Sequence, residues 1–347
     1  MAPAPALRAP ALVRFARALR EGVEYGPPYA AARYFMGAPE PLDPETTWRF
    51  FTRRQPALIQ TFLNHYPPPF QRRRLLAGPL SQSHAAGIEE HYDVSNEFYR
   101  LFLDRDFMFY SCADFAPGDT IEMAQRRKAD HILSLLAPAA GEKVLELGCG
   151  WGSMLRHIHA HTGDKDSLWG YTLSQEQARY IRENFGFNVE IRDFIETAYE
   201  PNSYDKIYSI GAMEHVRPDE ILPLLCKLHK AIRPRGRLVQ HFFSLNTGPL
   251  PPSMIAAQLF FPGSTLATHA HHLEAAREAG FTLTHDSLHD YRPTLRAWFD
   301  RLVENRERAL ELVGLETYNK YLVFLAISWP MFDLNIATLH RLVLEKR

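Results

Sequence analysis

The stretch Val144 to Met154 reads VLELGCGWGSM, and its reading decides the fold. A short apolar run is followed by three glycines, Gly148, Gly150 and Gly152, that alternate with other residues. Glycine permits positive φ and lets backbone approach a ligand closely, and a helix that starts after such a turn presents free N–H groups. In an open α/β sheet, ligands gather beyond the carboxyl ends of the strands. The spacing is G-x-G-x-G, whereas the dinucleotide fingerprint needs G-x-G-x-x-G, so a nicotinamide dehydrogenase is disfavoured. Glu146 lies where a carboxylate can organise the loop or a ligand's ammonium group.

Outward from this loop the pattern alternates. Strand-like runs at 143–148, 167–173, 189–194, 206–211 and 237–243 are separated by helix-like stretches at 153–162, 174–185 and 218–232. Such alternation predicts a doubly wound parallel sheet with helices on both faces, a Rossmann-like α/β fold. FTLTHDSL and IATLHRLVL are expected to finish the sheet, with helices between them from TLRAWFDRLVENRERALELV onward. The third strand ends in Asp193 and Phe194, an acceptor beside a ring, a natural pair for an adenine amine and its face. That favours a sulfonium nucleoside over a dinucleotide.

The chain has 347 residues and a formal net charge of −1, so its total charge points to no polyanion partner and no nucleic acid. The distribution is uneven. Residues 1–80 carry eleven arginines, no lysine and five carboxylates, a balance of +6 on an otherwise acidic protein. A basic amino-terminal region suits an anionic surface such as phospholipid headgroups. Within ALVRFARALR (11–20), Leu12, Phe15, Ala16 and Leu19 share one side of a helix and Arg14, Arg17 and Arg20 another; the apolar side either packs on the body or meets a membrane. A second helix is expected from Thr46 to Asn64, stopped by HYPPPF, and RRRLLAGPLSQSHAAG (72–87) reads as a linker. The division expected is a helical basic region over 1–80 and a catalytic domain over 81–347.

Cys112, Cys149 and Cys226 are odd in number and lack metal-type spacing, which predicts reduced thiols, a cytoplasmic setting and no structural metal. No signal-peptide h-region is evident, and the apolar run at 321–332 is shorter than the ~20 residues of a spanning helix, so contact with the inner face of a membrane is expected to be peripheral.

The stretches HYDVSNEFYRLFLD (91–104), FYSCADF (109–115), VLELGCGWG (144–152), YTLSQEQ (171–177), SIGAMEHV (209–216) and DYRPTLRAW (290–298) together resemble the cyclopropane-fatty-acyl-phospholipid synthases and mycolic acid cyclopropane synthases. The resemblance runs from about His91 to the carboxyl terminus. It implies a class I methyltransferase fold with acyl-chain-binding insertions, S-adenosylmethionine as methyl donor, and the olefin of an unsaturated phospholipid acyl chain as acceptor. Carried over by position, Tyr110, Ser111 and the Gly148 to Gly152 loop would meet the donor's methionine end. Thr172 and Gln177 would replace the ribose-binding acid of other methyltransferases, with Ser174 and Gln175 beside them. The resemblance also implies a bicarbonate ion, held by Cys112, Glu214, His241 and Tyr291, that takes a proton from the added methyl group. It leaves a homodimer open.

Independently of the family, Glu214 is read as closing the fourth strand and His241 as lying near the end of the fifth, so both would face the ligand edge. His215 would then point away and be structural. Two departures touch the acyl-binding region. STLATHAHH follows LFFPG (259–263) where a Leu-Pro-Ser type sequence is usual, and Asn335 and His340 replace glycine and glutamine. A branched rather than cyclic product, another small-molecule acceptor, and a non-catalytic lipid binder are the competing readings.

Overall fold

The computed structural model describes residues 11–80, 95–246 and 250–347. Residues 91–94 of the first family-like stretch and 81–87 of the expected linker lie outside the described residues.

Seven strands form one sheet in the order β3-β2-β1-β4-β5-β7-β6. They are β1 (Val144–Leu147), β2 (Leu168–Thr172), β3 (Asn188–Ile191), β4 (Tyr204–Ile210), β5 (Ile232–Leu245), β6 (Thr282–His289) and β7 (Ala337–Glu345). The first five pair in parallel and β7 runs antiparallel between β5 and β6. β1 is buried at every position, as a central parallel strand requires. The strand order reverses between β1 and β4, and that switch point is where ligands settle in such sheets.

The helices, in chain order, are α1 (Ala11–Glu24), α2 (Pro27–Met36), α3 (Pro44–Thr52), α4 (Ala57–His65), α5 (Pro69–Ala77), α6 (Asn96–Phe102), α7 (Ile121–Leu136), α8 (Ser153–Thr162), α9 (Gln175–Asn184), α10 (Pro218–Ala231), α11 (Ser253–Ala257), α12 (His269–Glu278), α13 (Arg292–Glu304) and α14 (Arg306–Asp333). α14 breaks at Gly314, whose φ of 73° and ψ of 175° leave the helical region. Two apolar cores cover the faces of the sheet, and a third binds α6, α13 and α14 through Phe98, Phe102, Trp298, Phe299 and Leu322. The amino-terminal helices join that third core. Trp48 of α3 packs on Phe299 and Trp329, and Leu42 N–H donates to Asn319 Oδ1 at 3.1 Å.

Two expectations need correction. The helix expected over 46–64 is two helices, α3 and α4, because Pro56 has no N–H to give and keeps Gln55 out of the helical region. The prolines after His65 do end α4, yet Pro69 opens α5, since proline is well placed in a helix's first turn. Arg72 to Ala77 are therefore helical rather than linker, with Arg72 and Leu75 buried.

α1 is oriented against the usual rule. Its polar side faces the body, with Arg14 donating to Tyr34 O at 2.8 Å and buried Glu21 3.6 Å from Arg33. Its apolar stripe of Leu12, Phe15, Leu19 and Val23 is exposed. Of the two sequence readings, packing of that stripe on the body does not occur among the described residues.

Candidate active site

The loop after β1 is shaped by its three glycines, all at positive φ. A Cβ at Gly148 would meet Ala212 Cβ at 2.8 Å, and one at Gly152 would meet Ile181 Cγ1 at 2.9 Å. Neither position admits a side chain. Gly150 differs, for a Cβ there would find nothing within 4 Å, because it faces the open space of a cavity.

That cavity, of about 610 Å³, lies beyond the tips of β1, β2 and β4. Tyr110, Ser111, Glu146, Gly148, Gly150, Thr172, Ser174, Gln175, Gln177, Asp193 and Phe194 line it. Gly152 is set behind, as the left-handed cap of α8. Thr172 Oγ1 donates to Gln177 Oε1 at 2.8 Å, so the two side chains form one unit at the end of β2. Ser174 is engaged in capping α9, where Oγ accepts from Gln177 N–H at 3.3 Å. Asp193 lies past the end of β3 in a turn, with Oδ1 accepting from Ile195 N–H at 2.8 Å. Glu146 is buried and accepts from Tyr208 Oη at 2.8 Å, and burial pushes its carboxyl up to about 8.

The segment that carries Tyr110 and Ser111 is pinned from two sides. Asp104 accepts from Phe107 N–H at 2.6 Å and from Phe109 N–H at 2.8 Å. Lys128 of α7, fully buried, donates to Ser111 Oγ at 2.7 Å and lies 3.7 Å over the Phe109 ring. Burial lowers this ammonium to about 7. Sequence reasoning missed Lys128, whose only local signal is a lysine among the apolar positions of an amphipathic helix.

A second cavity, of about 830 Å³, runs between the sheet and the helical layer. Phe243, Phe260, Phe261, Trp298, Phe324 and Phe332 make it apolar, and Glu214 and Tyr291 lie in its wall. Tyr110, Gly211 and His215 line both cavities. Two expectations are overturned by this placement. Glu214 does not close β4; that strand ends at Ile210, and Met213–His215 form a 3-10 turn. In such a turn alternate residues do not point to opposite faces, so His215 also reaches the cavities.

The four candidate catalytic residues are thus divided. Glu214 and Tyr291 face the apolar cavity, whereas Cys112 and His241 are fully buried behind it and line neither space. The tie is short: Gly211 N–H donates to His241 O at 2.8 Å, and Cys112 Sγ donates to Asp290 O at 3.5 Å, next to Tyr291. Glu214 Oε2 and His241 Nε2 are enclosed and have no hydrogen-bond partner among the described residues. Burial pushes the Glu214 carboxyl up to about 8 and raises the Cys112 thiol far above a thiolate's range. Burial thus favours the protonated, neutral form of the Glu214 carboxyl.

On the opposite face of β7, His269, Asp286 and His340 bring three ligand-type atoms within 4.8 Å. The two rings are parallel, 9° apart in tilt and 3.6 Å between centres, so their in-plane lone pairs do not converge on one ion.

A sequence model of the family described as mycolic acid cyclopropane synthetase matches residues 80–342. The cyclopropane mycolic acid synthase MmaA2 of Mycobacterium tuberculosis is 31% identical over 283 residues, 76% of this chain and 98% of that protein. A probable fatty acid methyltransferase of Pseudomonas putida is 31% identical over 277 residues, 76% of this chain and 69% of its own length. Among solved structures, that of MmaA2 superposes with a TM-score of 0.70 at 29% identity, over 77% of this chain and 99% of that one. Mycolic acid cyclopropane synthase CmaA1 complexed with SAH and CTAB gives 0.68 at 28% identity, over 76% and 99%.

Proposed function

Because the chain belongs to the mycolic acid cyclopropane synthetase family and is an S-adenosylmethionine-dependent methyltransferase, we propose that it adds a methylene bridge across the double bond of an unsaturated phospholipid acyl chain. The observation that carries this reading is the junction of two unlike cavities at Tyr110, Gly211 and His215, one of mixed polar and apolar lining and large enough for a nucleoside, the other larger and mainly apolar. A donor in the first presents its methyl group toward an alkene in the second.

An alkene is a weak nucleophile, so proximity has to supply much of the barrier, ~7–11 kcal/mol in well-oriented systems. The Gly148 to Gly152 loop, Thr172, Gln177 and Asp193 hold the donor in this reading, and Glu146 orders the loop. Transfer leaves positive charge on the acyl carbon. The faces of Phe243, Tyr291 and Trp298 stabilise it, and the lining keeps out water that would capture it. Loss of a proton from the new methyl group then closes the ring. The enclosed, unpartnered Glu214 Oε2 and His241 Nε2 fit an oxyanion, and with Tyr291 and Cys112 they would hold bicarbonate. That ion, when bound, supplies a base for the departing proton.

The membrane is the source of the chain in this reading. α4 carries Leu58, Ile59 and Phe62 exposed on its surface while Gln60, Leu63 and Asn64 line the apolar cavity, and Arg53 and Arg54 stand beside that mouth. Exposed apolar side chains beside arginines suit a surface of anionic headgroups, and the outward stripe of α1 offers a second apolar contact. Leu58→Asp with Phe62→Asp should weaken binding to anionic vesicles at least about tenfold, since each buried apolar side chain is worth ~1.5–3 kcal/mol. Activity on a soluble short-chain olefin should hold; equal sedimentation with vesicles would exclude α4 from the contact.

The deciding experiment supplies methyl-labelled S-adenosylmethionine and monounsaturated phospholipid vesicles, with free fatty acid in parallel, and identifies products by mass spectrometry and NMR. Cyclopropane protons in the phospholipid are expected. Label in a methyl or methylene branch instead would favour the second reading, a branching fatty acid methyltransferase, for which the Pseudomonas relative's name is the supporting observation. Absence of label in any lipid rejects both.

A further inference from the structure

Behind the proposed site, His241 is held by a buried polar cluster whose other members the mechanism above does not use. His241 of β5 and Arg341 of β7 are directly paired across the antiparallel ladder, so their side chains share one face of the sheet. Both are fully buried. Arg341 Nε and Nη2 stand 3.3 and 3.2 Å from His241 Nδ1. The same guanidinium makes a two-pronged contact with Asp114, Nη1 to Oδ2 at 3.0 Å and Nη2 to Oδ1 at 3.0 Å. Asp114 also receives His289 Nδ1 at 3.0 Å, and His131 stands beside Arg341 Nη1.

A guanidinium has five N–H donors and no lone pair to offer. An imidazole nitrogen facing it must therefore be the acceptor, and in a neutral ring the proton is then on the other nitrogen. Arg341 needs a counter-charge to be buried here, and Asp114 provides one with matching planar geometry. Burial alone would raise the Asp114 carboxyl, but hydrogen bonds from His289 and Arg341 outweigh it and hold the group well below the ordinary carboxylate range. Burial, then the Arg341 charge, likewise keep His241 from taking a second proton.

We propose that Arg341, clamped by Asp114, is a positioning residue that locks His241 as the Nε2–H tautomer, so that the ring edge opposite Arg341 offers a hydrogen-bond donor and not a base. This rests on the assignment of His241 to the reaction made above. Under it, His241 steadies the anion that receives the proton, and the same Asp114 clamp ties the Tyr110 and Ser111 segment to β7. The pair joins residues far apart in the chain.

The test reads the tautomer directly. Full-length protein labelled with nitrogen-15 histidine is examined by two-bond proton–nitrogen correlation, His241 being identified by the pattern lost in His241→Gln. The Nε2–H pattern is expected; an Nδ1–H or doubly protonated ring would overturn the lock. In the Arg341→Met and Asp114→Asn double variant, which removes both charges together, the tautomers should mix. Turnover number should fall about a hundredfold while the KM for S-adenosylmethionine holds, as the wrong histidine tautomer costs ~10⁴ in a serine protease triad. A double variant that keeps the wild-type pattern and turnover also overturns it. Unchanged turnover in His241→Gln is a different failure, which removes His241 from the site rather than Arg341 from His241.

Discussion

Glu214→Gln is expected to bind S-adenosylmethionine as tightly as the parent and to turn over ~10²–10⁴-fold more slowly, the usual worth of a positioned acid–base group. Glutamine keeps the shape of the protonated acid that burial imposes at this position, where the carboxyl is pushed up to about 8. It loses only the ability to shift a proton. The parent carboxyl pays for its position in stability, and the sign is fixed. An acid whose folded value exceeds its ordinary 4.5 contributes stability in full below pH 4.5 and loses it as pH rises through about 8. The variant should therefore gain stability over the parent as pH climbs through that window, by up to a few kcal/mol, since each tenfold change in proton affinity is worth about 1.4 kcal/mol. Buried histidines such as His272, lowered by burial to about 3, slope the other way and are common to both proteins, so the difference between the two denaturation curves is the quantity to follow. Calorimetric donor binding, single-turnover rates and urea midpoints at pH 5 and pH 8 make the set. Wild-type turnover in the variant would remove Glu214 from the chemistry.

The second large effect is expected at Gly150. Its missing Cβ faces open space, so Gly150→Leu should leave the fold nearly intact, apart from the ~1–2 kcal/mol that an ordinary residue incurs at positive φ. The side chain would occupy the cavity proposed for the donor. Overpacking of ~1–3 kcal/mol corresponds to about a ten- to hundredfold loss of S-adenosylmethionine affinity. Gly148→Val should do the reverse, because its Cβ would collide with Ala212 at 2.8 Å, and lower the melting temperature before ligand binding is tested. Isothermal titration with thermal melts separates the two; normal donor binding in Gly150→Leu would place the donor elsewhere.

What the sequence reveals of the structure depends on distance along the chain. The β/α alternation and the glycine loop are legible because period and φ are local properties, and α8 runs over 153–162 as the pattern predicts. Both late strands, β6 and β7, also fall where they are expected. The break between α3 and α4 is legible in principle, since Pro56 is in plain view; the apolar period on either side hides it. Glu214 and His215 are misread when a strand pattern is extended past Gly211, where φ of 71° ends it. Arg341 and Asp114 cannot be paired by any local signal, being 227 residues apart. Nor can the outward stripe of α1 be read, because a helix's amphipathic pattern states that it has two sides and not which one meets the body.

Among the described residues the two cavities share Tyr110, Gly211 and His215, and the rest of their linings are separate. Under the proposed function, spent donor leaves its cavity without passing through the acyl cavity, and the hydrocarbon stays in place between turnovers. On a polyunsaturated tail the enzyme should then work like a ratchet on a rope, modifying successive double bonds in one encounter, and doubly converted tails should accumulate before singly converted ones run out.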